Sequence, residues 1–420
     1  MARYELVTDT AQDTPSRTSF VWSRDGRDST SLNVSRLDPW LSSLGRIPPS
    51  VSDLVRIAFA ALLADRAQRR GEYWTRSVDL RVYVAQPRKW TKAIGTVEAL
   101  LGYLSGDTWT IEFAKDEPLE SKVPKSDLTR KAVYLFSGGL DSFAAAIIAQ
   151  SQLPHEDLTF ISHRDNTVIA GAQNRSTDWL KSTLGEGCEW LRFGLRQAGS
   201  PIEASSRTRA FLFMALGVAA AAARGAKDVL VPENGFTSLN PPLQMDRAGS
   251  LSTRSTHPET FRLFSNLLVE LGIEISVTNP YEWHTKGELL KEAQALCPTL
   301  ENAIALTFSC GKIDGRVYKG GNVNHNCGLC FSCVVRRSSI AAAGLTDRTT
   351  YLVHELKKTP MKKLIKRRRS DIAAMKWMLA TGVDSDDLIA SSPFPRSFDF
   401  DHADQLLVRA LKELNLVELP

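Results

Sequence analysis

From residue 132 onward, short apolar runs alternate with stretches whose apolar residues recur at helical spacing. "AVYLF" (132–136), "LTFIS" (158–162), "CEWLRF" (188–193), "DVLVP" (228–232) and "IEISVTNP" (273–280) predict five strands. Helices are predicted from Ser142, near 173–183, over 203–224, near 258–271, and from Lys286. This alternation predicts an α/β fold with a doubly wound, parallel five-stranded sheet. In such sheets ligands bind beyond the carboxyl ends of the strands.

The flanking stretches follow other patterns. After a polar segment of 35 residues, Pro48-Pro49-Ser50 introduces a helix through Leu54, Ile57, Leu62 and Leu63. "VDLRVYV" (78–84) alternates like a half-buried strand, and "TWTIEF" (108–113) predicts a second one. Residues 1–125 therefore read as a separate α+β domain, and its tryptophans (Trp22, Trp40, Trp74, Trp90, Trp109) as core or interface. "KDEPLESKVPKSD" (115–127) has the composition of a linker. Residues 126–345 then form the α/β domain, and 346–420 a helical extension. In that extension, "HADQLLVRALKEL" (402–414) has the spacing of a packing or dimer surface.

Composition narrows the classes. The chain is 43% hydrophobic and 24% charged, ordinary for a globular protein. Its longest apolar run, Phe211–Ala223, lies between Arg209 and Arg224 and is too short to span a bilayer. The opening Met-Ala-Arg-Tyr-Glu has no signal-peptide pattern, so a soluble, cytoplasmic protein with no membrane partner is expected. A net charge of +5 permits an anionic ligand without demanding nucleic acid. "KKLIKRRR" (362–369) is basic but has no interleaved aromatic platform, so a solvated helix face is expected there rather than a nucleic-acid interface.

The first strand of the α/β region breaks into Ser137-Gly138-Gly139-Leu140-Asp141-Ser142 before a helix. Glycines at a helix amino terminus let several N–H groups converge on one anion, and the two serine hydroxyls add donors. The stretch has neither the spacing and lysine of a Walker loop nor a dinucleotide fingerprint. An acid inside a phosphate cradle suits Asp141 as a helix cap or as a holder of Mg²⁺.

Six cysteines are present: Cys188, Cys297, Cys310, Cys327, Cys330 and Cys333. Cys310, Cys327, Cys330 and Cys333 offer four thiolates to one ion, the closed tetrahedral set of structural Zn²⁺. His325 is a competing ligand or a loop residue. Cys188 and Cys297 read as small buried hydrophobes.

The hexapeptide resembles the pyrophosphate (PP) loop of adenine-nucleotide alpha-hydrolase-like ATP pyrophosphatases. Together with the distal cysteine cluster it resembles the 7-cyano-7-deazaguanine synthase (QueC) family. "SRTRAFLFMALGVAAA" (206–221), "VPENGF" (231–236) and "PYEWHTKGEL" (280–289) are similar to that family's arginine-led helix, Glu-Asn-Gly segment and lysine-bearing loop. The resemblance covers roughly 130–345, while the flanking extensions and the wide Cys310–Cys327 gap are more like the QueC-like proteins of bacterial anti-phage operons, the Qat system above all.

The resemblance implies an ATP-dependent carbon–nitrogen ligase acting on a deazaguanine-type carboxylate, with ATP, Mg²⁺ and Zn²⁺ and a partner protein encoded in the same operon. It implies that Ser137, Gly138, Gly139, Leu140, Asp141 and Ser142 hold pyrophosphate. It further implies that Arg207, Arg209 or Lys286 neutralises phosphate or carboxylate charge, that Glu233 and Asn234 bind nucleotide or substrate, and that the edge Ile161-Ser162-His163 meets adenine. A non-catalytic nucleotide-binding scaffold and a tRNA-modifying ligase of the same superfamily are the alternatives.

Overall fold

Four strands near the N-terminus, β1 (Ala2–Val7), β2 (Thr18–Val21), β3 (Ser77–Val84) and β4 (Thr108–Lys115), pair in parallel in the order β2-β1-β3-β4 in this computed structural model. The model describes residues 2–7, 14–21, 41, 44–70, 75–117, 128–164, 166–194, 202–203, 207–242 and 254–420. Trp22, Trp40, Trp74, Ser206 and residues 118–127 of the expected linker lie outside them.

The α+β expectation for residues 1–125 is thereby refined, because its four described strands all run one way. One face of this sheet is apolar through Val78, Leu80, Val82 and Val84. The other carries cross-strand ion pairs, Arg17–Asp79 at 2.7 Å and Arg81–Glu112 at 2.9 Å. Among the described residues that face is lined by charged side chains.

Helix α1 (Pro49–Ala67) is buried from Ser50 to Asp65, and α2 (Ile94–Ser105) lies beside it. Nearly every side chain of α1 is buried because it sits between two layers. Its far side packs on the helix Arg209–Arg224, and α2 packs on the helix Pro258–Glu270.

The five-stranded sheet consists of β5 (Ala132–Leu135), β6 (Leu158–Arg164), β7 (Glu189–Gly194), β8 (Asp228–Leu230) and β9 (Ser276–Thr278). All neighbours are parallel, in the order β7-β6-β5-β8-β9. The strand order reverses at β5, so the crevice between the carboxyl ends of β5 and β8 is the expected ligand position.

Helices cover both faces. On one side lie α5 (Arg209–Arg224) and α7 (Pro258–Glu270), joined by an edge-to-face Phe211–Phe264 contact at 5.9 Å. On the other lie α3 (Leu140–Gln152), α4 (Thr167–Leu184) and α8 (Lys286–Leu296). The doubly wound reading therefore holds, with α5 beginning at Arg209, later than the expected 203.

A short helix α6 (Gly235–Leu239) follows β8. Beyond the sheet come α9 (Phe331–Ala342), α10 (Lys358–Thr381), α11 (Ser385–Ser391) and α12 (Phe400–Leu414). Leu406, Leu407 and Ala410 of α12 pack with Phe331, Val334 and Val335 of α9. Among the described residues, no helix is long and apolar enough to cross a membrane.

Candidate active site

The glycine loop lies where β5 leaves the sheet. Gly138 has φ +82°, and a Cβ there would sit 2.8 Å from Gln173 Cγ, so only glycine fits without displacing α4. Gln173, buried in α4, donates its amide to Ser137 O at 3.2 Å and to His163 O at 3.1 Å, pinning the loop to the end of β6. The Ser137 and Ser142 hydroxyls lie 3.1 Å apart, and Gly139 N–H donates to Ser137 Oγ at 3.2 Å. The N-cap residue of α3 is Gly139, which has no side chain to cap with, and the first turn holds Asp141.

Asp141 is buried and points across the crevice. Its Oδ2 takes the Lys286 ammonium at 2.7 Å and the Asn234 amide at 3.2 Å. Asn234 Nδ2 also donates to Glu233 Oε1 at 3.0 Å, and Asn234 Oδ1 caps α6 by accepting from Thr237 N–H at 3.0 Å. Three chain segments thus meet at one carboxylate: the glycine loop, the exit of β8 and the start of α8.

The charges of this group are unequal. Burial alone raises the Asp141 carboxyl, but the Lys286 ammonium beside it holds it below its ordinary value. Burial, and then the Asp141 charge, push Glu233 well above its own. One carboxylate is ionised and its neighbour holds a proton, the arrangement of an acid pair sharing one cation.

Arg207 is turned away. Its guanidinium donates to Ser105 O at 2.9 Å and its main-chain N–H to Asp65 Oδ2 at 2.8 Å, both in the N-terminal unit. Arg209 begins α5, half-buried, one turn before Phe213, which packs on the His163 ring at 6.2 Å. On the expected adenine edge, Ser162 Oγ donates to Phe136 O at 3.0 Å.

The cysteine cluster closes the other side. All four sulfurs lie within 4.8 Å of one another, and all four residues are buried. The Cys310–Cys330 and Cys327–Cys333 sulfur pairs are 3.8 Å apart. That matches the edge of a tetrahedron with Zn–S bonds of about 2.3 Å. Main-chain N–H groups of Lys312 and Cys327 donate to Cys310 Sγ, both at 3.4 Å, and Cys330 N–H donates to Cys327 Sγ at 3.3 Å. Burial and the neighbouring sulfurs push the Cys333 thiol up, so four thiolates this close need a cation. The set fits Zn²⁺. His325 instead pairs with Glu355 at 2.6 Å, outside the sulfur set.

Four residues here escaped sequence reasoning. Ser309, next to Cys310, reaches Leu140 N–H at 3.4 Å, and Phe308 N–H donates to Gly138 O at 3.0 Å. Arg336, one turn after Cys333 in α9, donates to Ser309 Oγ at 3.1 Å and Thr307 Oγ1 at 2.7 Å. The metal loop is therefore the roof of the glycine loop. Arg368, from the basic run, is buried, lies 3.4 Å from Cys327 Sγ and pairs with Asp314 at 2.5 Å. Gln173 is the fourth.

Comparisons with known proteins bear on this arrangement. A 7-cyano-7-deazaguanine synthase of Dechloromonas aromatica is 28% identical over 246 residues, 53% of this chain and 99% of that one. Another, of Syntrophobacter fumaroxidans, is 28% identical over 251 residues and covered to 97%. About half of this chain is 7-cyano-7-deazaguanine synthase-like. A third such relative, of Ectopseudomonas mendocina, is 26% identical over 254 residues, 53% of this chain and 98% of its own. No protein-family model matches the chain. The synthase-like part accounts for nearly the whole length of each relative, so the other half of this chain is an addition to that plan.

Proposed function

We propose that this protein is an ATP-dependent, QueC-like ligase that adenylates a carboxylate, 7-carboxy-7-deazaguanine, with release of pyrophosphate. The observation that carries this reading is the meeting of Asp141, Lys286, Asn234 and Glu233 beside a glycine-led helix terminus. In the proposed reaction the carboxylate oxygen attacks the α-phosphorus of ATP, and the bond to the β-phosphate oxygen breaks. Pyrophosphate leaves along Ser137, Gly138, Gly139, Leu140 and Ser142, whose N–H and hydroxyl groups stabilise its charge. Lys286 offsets charge on the α-phosphate or on the incoming carboxylate. An amine then attacks the acyl carbon, AMP departs, and the amine proton is released.

Asp141 Oδ1 is buried and receives no N–H donor, while the Glu233 carboxyl hydrogen-bonds the Asp141 carboxylate. With the proton between them given up, the Asp141 and Glu233 carboxylates are a donor set that would fit Mg²⁺. When bound, Mg²⁺ supplies neutralisation of polyphosphate charge.

Two acceptors follow from the same chemistry. Ammonia gives an amide and, with a second ATP, a nitrile. A protein amine gives a deazaguanine-conjugated protein, and the additions to the synthase-like half are the reason to extend the reading to Qat-type anti-phage defence with an operon-encoded partner. Incubation with ATP, Mg²⁺ and 7-carboxy-7-deazaguanine is expected to yield AMP and pyrophosphate. Intact-mass measurement of co-expressed neighbouring proteins then separates the acceptors, since a mass gain abolished by Asp141→Ala identifies conjugation. Nucleotide binding without AMP formation under every acceptor condition overturns the ligase reading in favour of a scaffold.

A further inference from the structure

The C-terminal helix α12 reaches the proposed reaction centre from behind. Arg409 and Glu413, one turn apart, straddle the amino terminus of α8. Arg409 donates to Trp283 O at 2.8 Å and pairs with Glu288 at 2.8 Å. The Glu413 carboxylate accepts from the Thr285 hydroxyl, from Gly287 N–H at 3.2 Å and from Ser339 Oγ at 3.3 Å. It therefore brackets Lys286 on both sides in sequence. Gly287 is what permits this approach, because a Cβ there would collide with the Glu413 carboxylate.

The same helix supports the second segment of the site. A Cβ on Gly235, directly after Glu233 and Asn234, would collide with Glu282 O and lie 2.6 Å from Leu406 Cδ2. Asn234, Lys286, Ser339 and Glu413 line one small cavity.

Electrostatics gives the contact a purpose. A lysine in the first turn of a helix faces the positive end of the dipole, which disfavours its charge. Lys286 is that residue of α8, and its ammonium is spent on Asp141. A carboxylate set against the same terminus offsets the dipole and fixes the backbone from which the lysine extends.

We propose that Glu413 is a positioning residue for Lys286, so that the C-terminal extension completes the reaction centre instead of merely decorating the synthase-like half. Calling that centre reactive rests on the ligase reading; the positioning itself does not.

The test uses the full-length protein and an acylating amine reagent, with Lys286 modification read by peptide mass spectrometry across pH 6–9. In the wild type, Lys286 is expected to be protected relative to exposed lysines. Glu413→Ala is expected to raise its labelling at least tenfold. Glu413→Gln, which keeps an acceptor for Gly287 N–H, is expected to raise it less than threefold. Val408→Ala, on the exposed side of α12, serves as control. All variants are compared where thermal melting shows them folded. Unchanged Lys286 protection in folded Glu413→Ala overturns the proposal. An equal gain of labelling at the half-buried Lys89 and Lys181 also overturns it, because that is general loosening. If labelling follows expectation while no variant forms AMP, the positioning stands and the ligase reading falls.

Discussion

Replacing Lys286 with methionine removes the one ammonium that pairs with Asp141 and leaves two carboxyls, Asp141 and Glu233, together in the interior. Both partners of the pair are nearly inaccessible, with side-chain exposures of 8% and 7%. Breaking such a pair by deleting one member costs about 3–5 kcal/mol, because the remaining charge is buried without compensation. The cost carries a pH signature. In the wild type Lys286 holds the Asp141 carboxyl down, so its contribution to stability is present above the ordinary carboxylate range and fades only in strong acid. In Lys286→Met, burial is no longer offset by the ammonium and pushes Asp141 up, the folded state takes up a proton that the unfolded chain lacks, and stability falls as pH rises. Each pH unit of that rise is worth about 1.4 kcal/mol. Urea unfolding at pH 5 and pH 8 is therefore expected to show a loss at least ~1.4 kcal/mol larger at pH 8. The double variant with Asp141→Asn should recover about 1.5 kcal/mol or more relative to the sum of the singles. Equal losses at both pH values, or strict additivity, would refute the reasoning.

Other outcomes follow from the same geometry. Arg368→Gln removes a charged group beside Cys327 Sγ, and competition with a chromogenic chelator should show Zn²⁺ held about 10- to 100-fold less tightly. Stripping the metal should free the Ser309 roof and weaken ATP binding in equilibrium titration, with recovery on adding Zn²⁺ back. Gly138→Ala forces a left-handed backbone and a clash with Gln173, and should cost about 1–3 kcal/mol in thermal or urea unfolding and lower ATP affinity as well. Because Glu233 keeps its proton well above the ordinary range, Glu233→Gln should flatten the decline in stability between pH 5 and pH 8.

The parts of this molecule visible in the sequence are those whose determinants are local. Five apolar runs separated by helical periodicity predict the parallel sheet, and four closely spaced thiols predict the metal set, since each pattern is read within one element or one loop. Arg207 shows the opposite case. "SRTRAF" announces arginines at a helix start, but the direction each takes depends on Asp65 and Ser105, far earlier in the chain. The basic run held a readable signal that its charge concealed. Leu364, Arg368, Asp371, Ile372 and Met375 fall on one buried stripe of α10, so Arg368 sits where a buried residue belongs and the remaining cations face solvent. Ser309 carried no signal, because a serine beside a metal ligand has no periodicity of its own. The parallel pairing of β1 to β4 was likewise illegible, since alternation reports which face is buried and not which way a neighbour runs.

The Lys286–Asp141 contact joins residues 145 apart in the chain, and Gly287–Glu413 joins residues 126 apart. Contacts of such separation close loops whose entropy must be offset before they stabilise anything, so they form late in folding. The turn 137–142 and its helix are local, but the Gln173 and Phe308 contacts that hold the turn, the ammonium that faces it and the carboxylate behind that ammonium arrive only when distant segments dock. Protection of Lys286 from acylation in a refolding time course is therefore expected to appear only once those distant segments have docked.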